Sequence, residues 1–182
     1  MDAAAFDRII SSAPTSEDRL SWFGALLARE SGTPVEIVGG SAIEIYLSSA
    51  IYVSQDVDLV GRKDSLARVL RRWKFRQVKG RSQRIYWLKS AIGLVDIVGP
   101  GDRSGLSPRR MKTPYGDVLL SAVEPLILTR LSRFAREHSD GLYRQAVRLA
   151  KGRPLDWDYL EAMARFEGIS TLVGRLRKSA QG

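Results

Sequence analysis

A short apolar segment that runs into paired glycines is the feature that most constrains how this chain folds. Residues 35–38 read Val-Glu-Ile-Val and are followed by Gly39, Gly40 and Ser41. The segment predicts a buried strand, and the turn leads into a helix over residues 41–47. Glycines between a strand and a helix let backbone N–H groups approach a phosphate, and a serine hydroxyl can donate to the same phosphate. Many such turns only reverse the chain, so this motif alone leaves both uses open.

Three aspartates lie in predicted strands further along the chain. Asp56 and Asp58 are two residues apart, so both side chains project from one face of a strand. Asp96 interrupts the apolar run 94–98, where a carboxylate is costly unless a metal or a partner compensates it. If the two strands are neighbours, the carboxylates converge and can hold two Mg²⁺ ions, which prefer oxygen ligands. Asp-x-Asp pairs also occur without metal, and Asp96 alone also fits a strand-end cap.

The apolar pattern changes character near residue 120. Before that point it predicts helices over 3–10, 15–32, 41–47 and 66–73, and strands over 35–38, 57–60, 75–78, 84–88 and 92–98. Residues 99–117 are rich in Gly, Pro and charge and predict a loop, with a short strand near 118–120. Helical periodicity dominates after Glu124. We therefore predict an α/β (α+β) fold, in which a small mixed β-sheet flanked by helices (residues 1–120) precedes a helical bundle (121–182).

Charge is distributed unevenly along the chain. The chain has 29 Lys and Arg against 20 Asp and Glu, a net charge of +9. Residues 1–61 carry a net charge of −6 and residues 62–182 carry +15. The most basic stretch, residues 62–89, has 11 Lys and Arg, and Asp64 is its one acid. Such a stretch attracts the phosphates of nucleic acids, nucleotides or lipids, although a solvated surface has the same composition.

The glycine turn and the three aspartates together resemble the signature of the nucleotidyltransferase superfamily, the polymerase-β-like fold. Residues 38–60, VGGSAIEIYLSSAIYVSQDVDLV, are especially similar to minimal nucleotidyltransferases of the AbiEii toxin type. The resemblance implies that Gly39, Gly40 and Ser41 bind the phosphates of a nucleoside triphosphate.

Catalytic and metal-binding roles also follow from the resemblance. It implies that Asp56 and Asp58 bind Mg²⁺ or Mn²⁺. Asp96 matches the third carboxylate, a metal ligand or a base for the incoming hydroxyl. Ser54 matches the Ser or Thr that stands two residues before the first aspartate.

The resemblance is looser in the C-terminal half. Relatives carry a Glu and then a Lys in the first helix there, whereas here Glu124 is followed by Arg130, with Arg136 and Asp140 beyond it. A guanidinium can hold a triphosphate with two hydrogen bonds, but it does not exchange a proton near neutral pH. Arg130 and Asp140 are therefore predicted nucleotide contacts, and the replacement of Lys leaves any Lys-dependent step open.

Aromatic residues are interleaved with the basic stretch. Trp73, Tyr86 and Trp87 fit either core packing or stacking on the bases of a single-stranded RNA. The sequence does not decide between these two uses.

These features predict a metal-dependent nucleotidyltransferase. It would move a nucleoside monophosphate from a triphosphate such as ATP to an acceptor hydroxyl, with an RNA such as a tRNA end as the expected acceptor. Two other classes stay open. One is a toxin–antitoxin-type module that acts on or binds a partner protein, and the other is a basic RNA-binding protein without catalysis.

Composition limits the compartment and the kinds of site. No apolar run reaches the roughly 18 residues of a membrane-spanning helix, and residues 1–10 lack the apolar core of a signal peptide. The chain has no Cys and one His, which excludes disulfides and His-rich metal sites. We therefore expect a soluble, cytoplasmic protein without a membrane partner.

Overall fold

The computed structural model describes residues 1–48, 52–54, 56–80, 84–99 and 105–181. They form two compact units, Met1–Ser121 and Ala122–Gly182. The described part of the first unit is a seven-stranded mixed sheet with four helices, and the second unit is helical. The predicted fold class, a small mixed sheet with helices followed by a helical segment, is confirmed.

The strands of the first unit are not arranged in chain order. Its helices are α1 (Ala3–Ser11), α2 (Ser16–Ser31), α3 (Gly39–Leu47) and α4 (Lys63–Arg72). Its strands are β1 (Glu36–Val38), β2 (Asp56–Val60), β3 (Arg76–Lys79), β4 (Ile85–Lys89), β5 (Gly93–Gly99), β6 (Arg109–Thr113) and β7 (Gly116–Leu120). They lie in the order β3-β4-β5-β2-β1-β7-β6. The pairs β1–β7 and β2–β5 are parallel, and the other neighbours are antiparallel.

One face of the sheet forms the core of the first unit. Val57 of β2 and Trp87 of β4 are both in register with Val95 of β5, so the three side chains point to the same side. All three are at most 3% exposed. We call this side the core face.

Helices α1, α2 and α4 pack around the core face. A Cβ added at Gly24 of α2 would overlap the side chain of Val118, so the helix lies directly on β7. Arg71 of α4 lies over the ring of Trp87, 5.4 Å from its centroid. Phe6 of α1 stacks on Trp73 with ring centroids 4.3 Å apart. Trp73 and Trp87 are therefore core residues, which decides between the two uses that the sequence left open for them.

The prediction of a loop over residues 99–117 is wrong in part, because β6 and the start of β7 form a hairpin there. Met111 is the one large apolar residue in β6, and the strand pairs only along one edge, so the usual alternating pattern is absent. The turn is closed by the hydroxyl of Thr113, which donates to the carbonyl of Gly116 at 2.8 Å. Residues 100–104 of the predicted loop lie outside the described residues.

The second unit consists of α5 (Val123–Glu137), α6 (Asp140–Ala150), α7 (Trp157–Glu167) and α8 (Ser170–Gln181) in its described residues. Its interior is apolar and includes Leu131, Ala146, Leu160 and Leu176, each fully buried. Across the described parts of both units, no helix combines the length and the apolar character needed to cross a membrane.

The buried aromatic stack of the first unit predicts a large difference between two matched substitutions. Phe6 is fully buried, whereas Phe166 of α7 is 87% exposed. We expect Phe6→Ala to lower the free energy of unfolding by about 3–5 kcal/mol, and Phe166→Ala to change it by no more than about 0.5 kcal/mol. Urea unfolding followed by tryptophan fluorescence measures both. Equal losses would contradict the assignment of Phe6 to the core.

Candidate active site

Three carboxylates lie together on the side of the sheet opposite the core face. Asp56 and Asp58 are alternate residues of β2, and Asp58 is directly in register with Asp96 of the parallel strand β5. Neighbouring strands are about 4.8 Å apart, so the three side chains share a small area. Asp56 and Asp58 are half-buried, and the side chain of Asp96 is only 5% exposed. We call this side the carboxylate face.

Burial and the negative charge of neighbouring carboxylates make Asp58 and Asp96 harder to ionise. Loss of solvent, followed by the negative charges of Asp56 and Asp96, raises the pKa of Asp58 from the ordinary 3.8 to about 6. Burial also raises the pKa of Asp96, although the positive charge of Arg84 opposes this. The face therefore carries more negative charge than its protein surroundings neutralise.

Arg84 and Lys63 are the cations that act on Asp96. An Arg84 guanidinium nitrogen, Nη1, lies 3.2 Å from Oδ2 of Asp96, and the arginine side chain is 57% exposed. Lys63, at the start of α4, favours the ionised form of the same carboxylate and lowers its pKa. Asp96 is thus ion-paired from the solvent side.

Both glycines of the turn are required by close approach. Gly39 has φ of +59°, and a Cβ there would overlap the carboxylate of Asp58. The backbone N–H of Gly40 acts on that carboxylate and lowers its pKa. A Cβ at Gly40 would also lie 2.5 Å from Oγ of Ser54. The turn is therefore shaped around Asp58 and Ser54, with the N-terminus of α3 beside the carboxylate face.

Ser41 lies in the first turn of α3. It is fully buried, and its hydroxyl donates to the backbone carbonyl of Asp56 at 2.7 Å. Ser54 donates its hydroxyl to the same carbonyl at 2.8 Å. In this structure the Ser41 hydroxyl therefore fixes the start of β2, and its contact with a phosphate stays a prediction.

The sequence analysis missed Glu44 of α3. Its side chain is 1% exposed, and one carboxylate oxygen accepts the backbone N–H of Ser54 at 2.7 Å. The signal was present, since Glu44 is the one charged residue in the otherwise apolar helix segment 42–47. The pairing of Arg84 with Asp96 had no such signal, because it depends on strand register.

The donor chemistry of the carboxylate face fits a hard divalent cation. Asp56 and Asp58 offer oxygen ligands on one strand face, and their shared negative charge is partly unneutralised. The carboxylate of Asp96 is already ion-paired with Arg84. Accordingly, no three carboxylate or imidazole groups in the described residues are arranged to hold one ion together. The fit therefore rests on the Asp56 and Asp58 pair.

Two predicted nucleotide contacts belong to the second unit. Arg130 of α5 is only 4% exposed, whereas Asp140, the first residue of α6, is exposed. The residues described above for the carboxylate face all belong to the first unit.

The described residues of the basic stretch 62–89 do not form one surface. Arg72 and Lys89 form ion pairs with acidic side chains of α2 and α1, at 2.6 and 3.0 Å. Arg84 contacts the carboxylate face directly, and the register of β3 with β4 puts Arg76 on the same side. Only part of the positive charge therefore lies near the three aspartates.

Asp58 predicts a pH-dependent stability in the absence of divalent ions. The folded protein keeps a proton on Asp58 up to about pH 6, whereas the unfolded chain releases it near pH 4, so stability falls as pH rises between these values. We expect Asp58→Asn to be more stable than wild type by about 1–2 kcal/mol at pH 7.5, allowing for solvent screening, and the difference to shrink toward pH 4. Urea unfolding in EDTA at both pH values measures it. A difference independent of pH would contradict the assigned cause.

The crowding at Gly39 predicts the outcome of a second matched pair. Gly32 has a similar φ of +66°, but a Cβ there would meet nothing within 4 Å. In both Gly→Ala variants, backbone strain lowers the free energy of unfolding by about 1 kcal/mol. We expect Gly39→Ala to lose at least about 1 kcal/mol more, because Asp58 must move. The additional loss should shrink in an Asp58→Ala background, where the carboxylate is gone and only the Cβ at 3.3 Å remains. Equal losses in the wild-type background would contradict the close approach.

Comparison with known proteins shows a likeness in structure. No protein-family model matches the chain, and no curated protein matches it in sequence. A crystal structure of an antigenic nucleotidyltransferase-like protein from Paracoccidioides brasiliensis aligns with a TM-score of 0.61 at 14% identity, over 90% of this chain and 93% of that chain.

Two structures of ANT(2″)-Ia align less well. The crystal structure in complex with adenylyl-2″-tobramycin has a TM-score of 0.47 at 17% identity, over 86% of this chain and 94% of that chain. The solution structure of this antibiotic-resistance factor has a TM-score of 0.45 at 17% identity, over 88% and 90%. Only the first comparison bears on the fold, and by it the chain shares the fold of the protein from Paracoccidioides brasiliensis.

Proposed function

We propose that the first unit is a catalytic domain that transfers a nucleoside monophosphate from a nucleoside triphosphate to an acceptor hydroxyl. One observation carries the proposal, the grouping of Asp56, Asp58 and Asp96 on one sheet face. The glycine turn beside them and the nucleotidyltransferase-like fold support it. The finer likeness to the AbiEii toxin type is part of the proposal.

The residues of the site divide into two groups by role. Asp56 and Asp58 would hold Mg²⁺ or Mn²⁺, which when bound neutralises charge on the triphosphate. Gly39 and Gly40 bring the N-terminus of α3, with its partial positive charge, to the edge where the phosphates would lie.

Asp96 is the proposed proton acceptor. The acceptor oxygen attacks the α-phosphorus, and the bond from that phosphorus to the bridging oxygen breaks. Pyrophosphate leaves with the bonding electron pair, and the hydroxyl proton passes to the carboxylate of Asp96. Burial raises the pKa of Asp96 and makes it a stronger base than an exposed aspartate, while Arg84 holds the carboxylate in place.

An RNA end is the acceptor that we propose. Arg84 and Arg76 lie on the carboxylate side of β4 and β3, where they could contact RNA phosphates. Tyr86 is half-buried and directly in register with Asp96, so its ring is on the same side. Trp73 and Trp87 are buried in the core, so Tyr86 is the one of these three aromatic residues that lies outside it. Arg130 and Asp140 are proposed as further nucleotide contacts.

Substitution of the metal-binding pair tests the chemistry. We expect Asp56→Ala and Asp58→Ala each to lower the transfer rate by at least about 10²–10³-fold without unfolding the protein, because a ligand of the cation that would position the triphosphate is lost. Asp117→Ala is the matched control, since Asp117 pairs with Arg110 on the far strands β6 and β7. Full transfer by either site variant would contradict the mechanism.

The acceptor class is tested by labelling. The protein is incubated with each α-³²P-labelled nucleoside triphosphate and Mg²⁺, together with total RNA or with total protein. Label in RNA supports the proposal, and label in protein would instead identify a partner protein as the acceptor, as in a toxin–antitoxin-type module. If neither is labelled, and calorimetry detects no metal-dependent nucleotide binding, the chain is a binding protein without catalysis.

A further inference from the structure

We infer that Glu44 is a positioning residue of the site, an inference that rests on the proposed function. Glu44 is on α3, and its side chain is 1% exposed. Burying a carboxylate is costly unless hydrogen bonds compensate it. One of the hydrogen bonds that Glu44 accepts comes from the segment that leads into β2.

The Glu44 carboxylate joins two segments that are distant in sequence. Its Oε1 accepts the hydroxyl of Ser16, the first residue of α2, at 2.5 Å. Its Oε2 accepts the backbone N–H of Ser54 at 2.7 Å. Glu44 therefore ties the residues just before β2 to helices α2 and α3.

Ser54 connects Glu44 to Asp56 through a second hydrogen bond. Its hydroxyl donates to the carbonyl of Asp56 at 2.8 Å, and the hydroxyl of Ser41 donates to the same carbonyl at 2.7 Å. Two donors on one carbonyl fix the peptide plane that follows Asp56, which limits where its carboxylate can point. Glu44 thus acts on the proposed metal site through Ser54, without facing the ligand itself.

Two substitutions of Glu44 separate positioning from packing. Glu44→Met keeps a similar volume but removes both acceptor oxygens, so the N–H of Ser54 loses its partner. Glu44→Gln keeps one oxygen for that N–H, and the Ser16 hydroxyl can turn to accept from the amide. Glu161→Met is the matched control, at an exposed glutamate of the second unit.

The measured quantity is the Mg²⁺ concentration that gives the half-maximal transfer rate. We expect it to rise about 10–100-fold in Glu44→Met, as for other residues that orient metal ligands, and to change less than about threefold in Glu44→Gln and Glu161→Met. Loss of folded protein alone would lower the maximal rate and leave this concentration unchanged. Wild-type Mg²⁺ dependence in Glu44→Met would overturn the inference while leaving the proposed function intact.

Amide hydrogen exchange at Ser54 gives a second readout that needs no activity. We expect Ser54 to exchange at least about tenfold faster in Glu44→Met than in wild type, and near the wild-type rate in Glu44→Gln. If the wild-type protein transfers no nucleotide, the proposed function fails, and unchanged exchange in Glu44→Met would separately refute the tie to Ser54. If Glu44→Met does not fold, Ser54→Ala replaces it and should also raise the Mg²⁺ requirement. An unchanged requirement there would overturn the inference.

Discussion

The approach of the Asp58 carboxylate to the Gly39–Gly40 turn is the contact on which the rest of the site depends. It requires a positive φ and no side chain at Gly39, and the backbone N–H of Gly40 lowers the pKa of the approaching carboxylate. It also puts the start of α3 against β2, where Ser41 and Ser54 reach the carbonyl of Asp56. The glycines therefore form one structure with the aspartates, and a phosphate at this turn would share the helix N-terminus with a carboxylate.

Electrostatics explains why such a site is unstable on its own. Asp58 lies beside two other carboxylates, and its own pKa is raised to about 6. Asp96 is ion-paired with the exposed Arg84. The protein thus folds around negative charge that it neutralises only in part. Under the proposed function, a bound divalent cation would relieve that repulsion and favour the folded state, so its binding would raise stability.

Periodicity and glycine placement were enough to predict the fold class, the β1–α3 turn and the strands that carry the aspartates. They did not predict β6, because an edge strand with the sequence Arg-Arg-Met-Lys-Thr has no alternating apolar pattern. For the candidate site, the sequence predicts which residues take part but not which contacts their side chains make. The Ser41 hydroxyl, the Glu44 carboxylate and the Arg84 guanidinium have partners brought in by tertiary packing, and spacing along the chain carries no information about such contacts.

Crystals grown with Mn²⁺ and a non-hydrolysable nucleoside triphosphate would test the central claim most directly. Anomalous scattering locates Mn²⁺ independently of the protein atoms. We expect a peak at the carboxylates of Asp56 and Asp58, with the triphosphate beside Gly39 and Gly40. A triphosphate bound elsewhere, or the absence of Mn²⁺ from these two carboxylates, would contradict it.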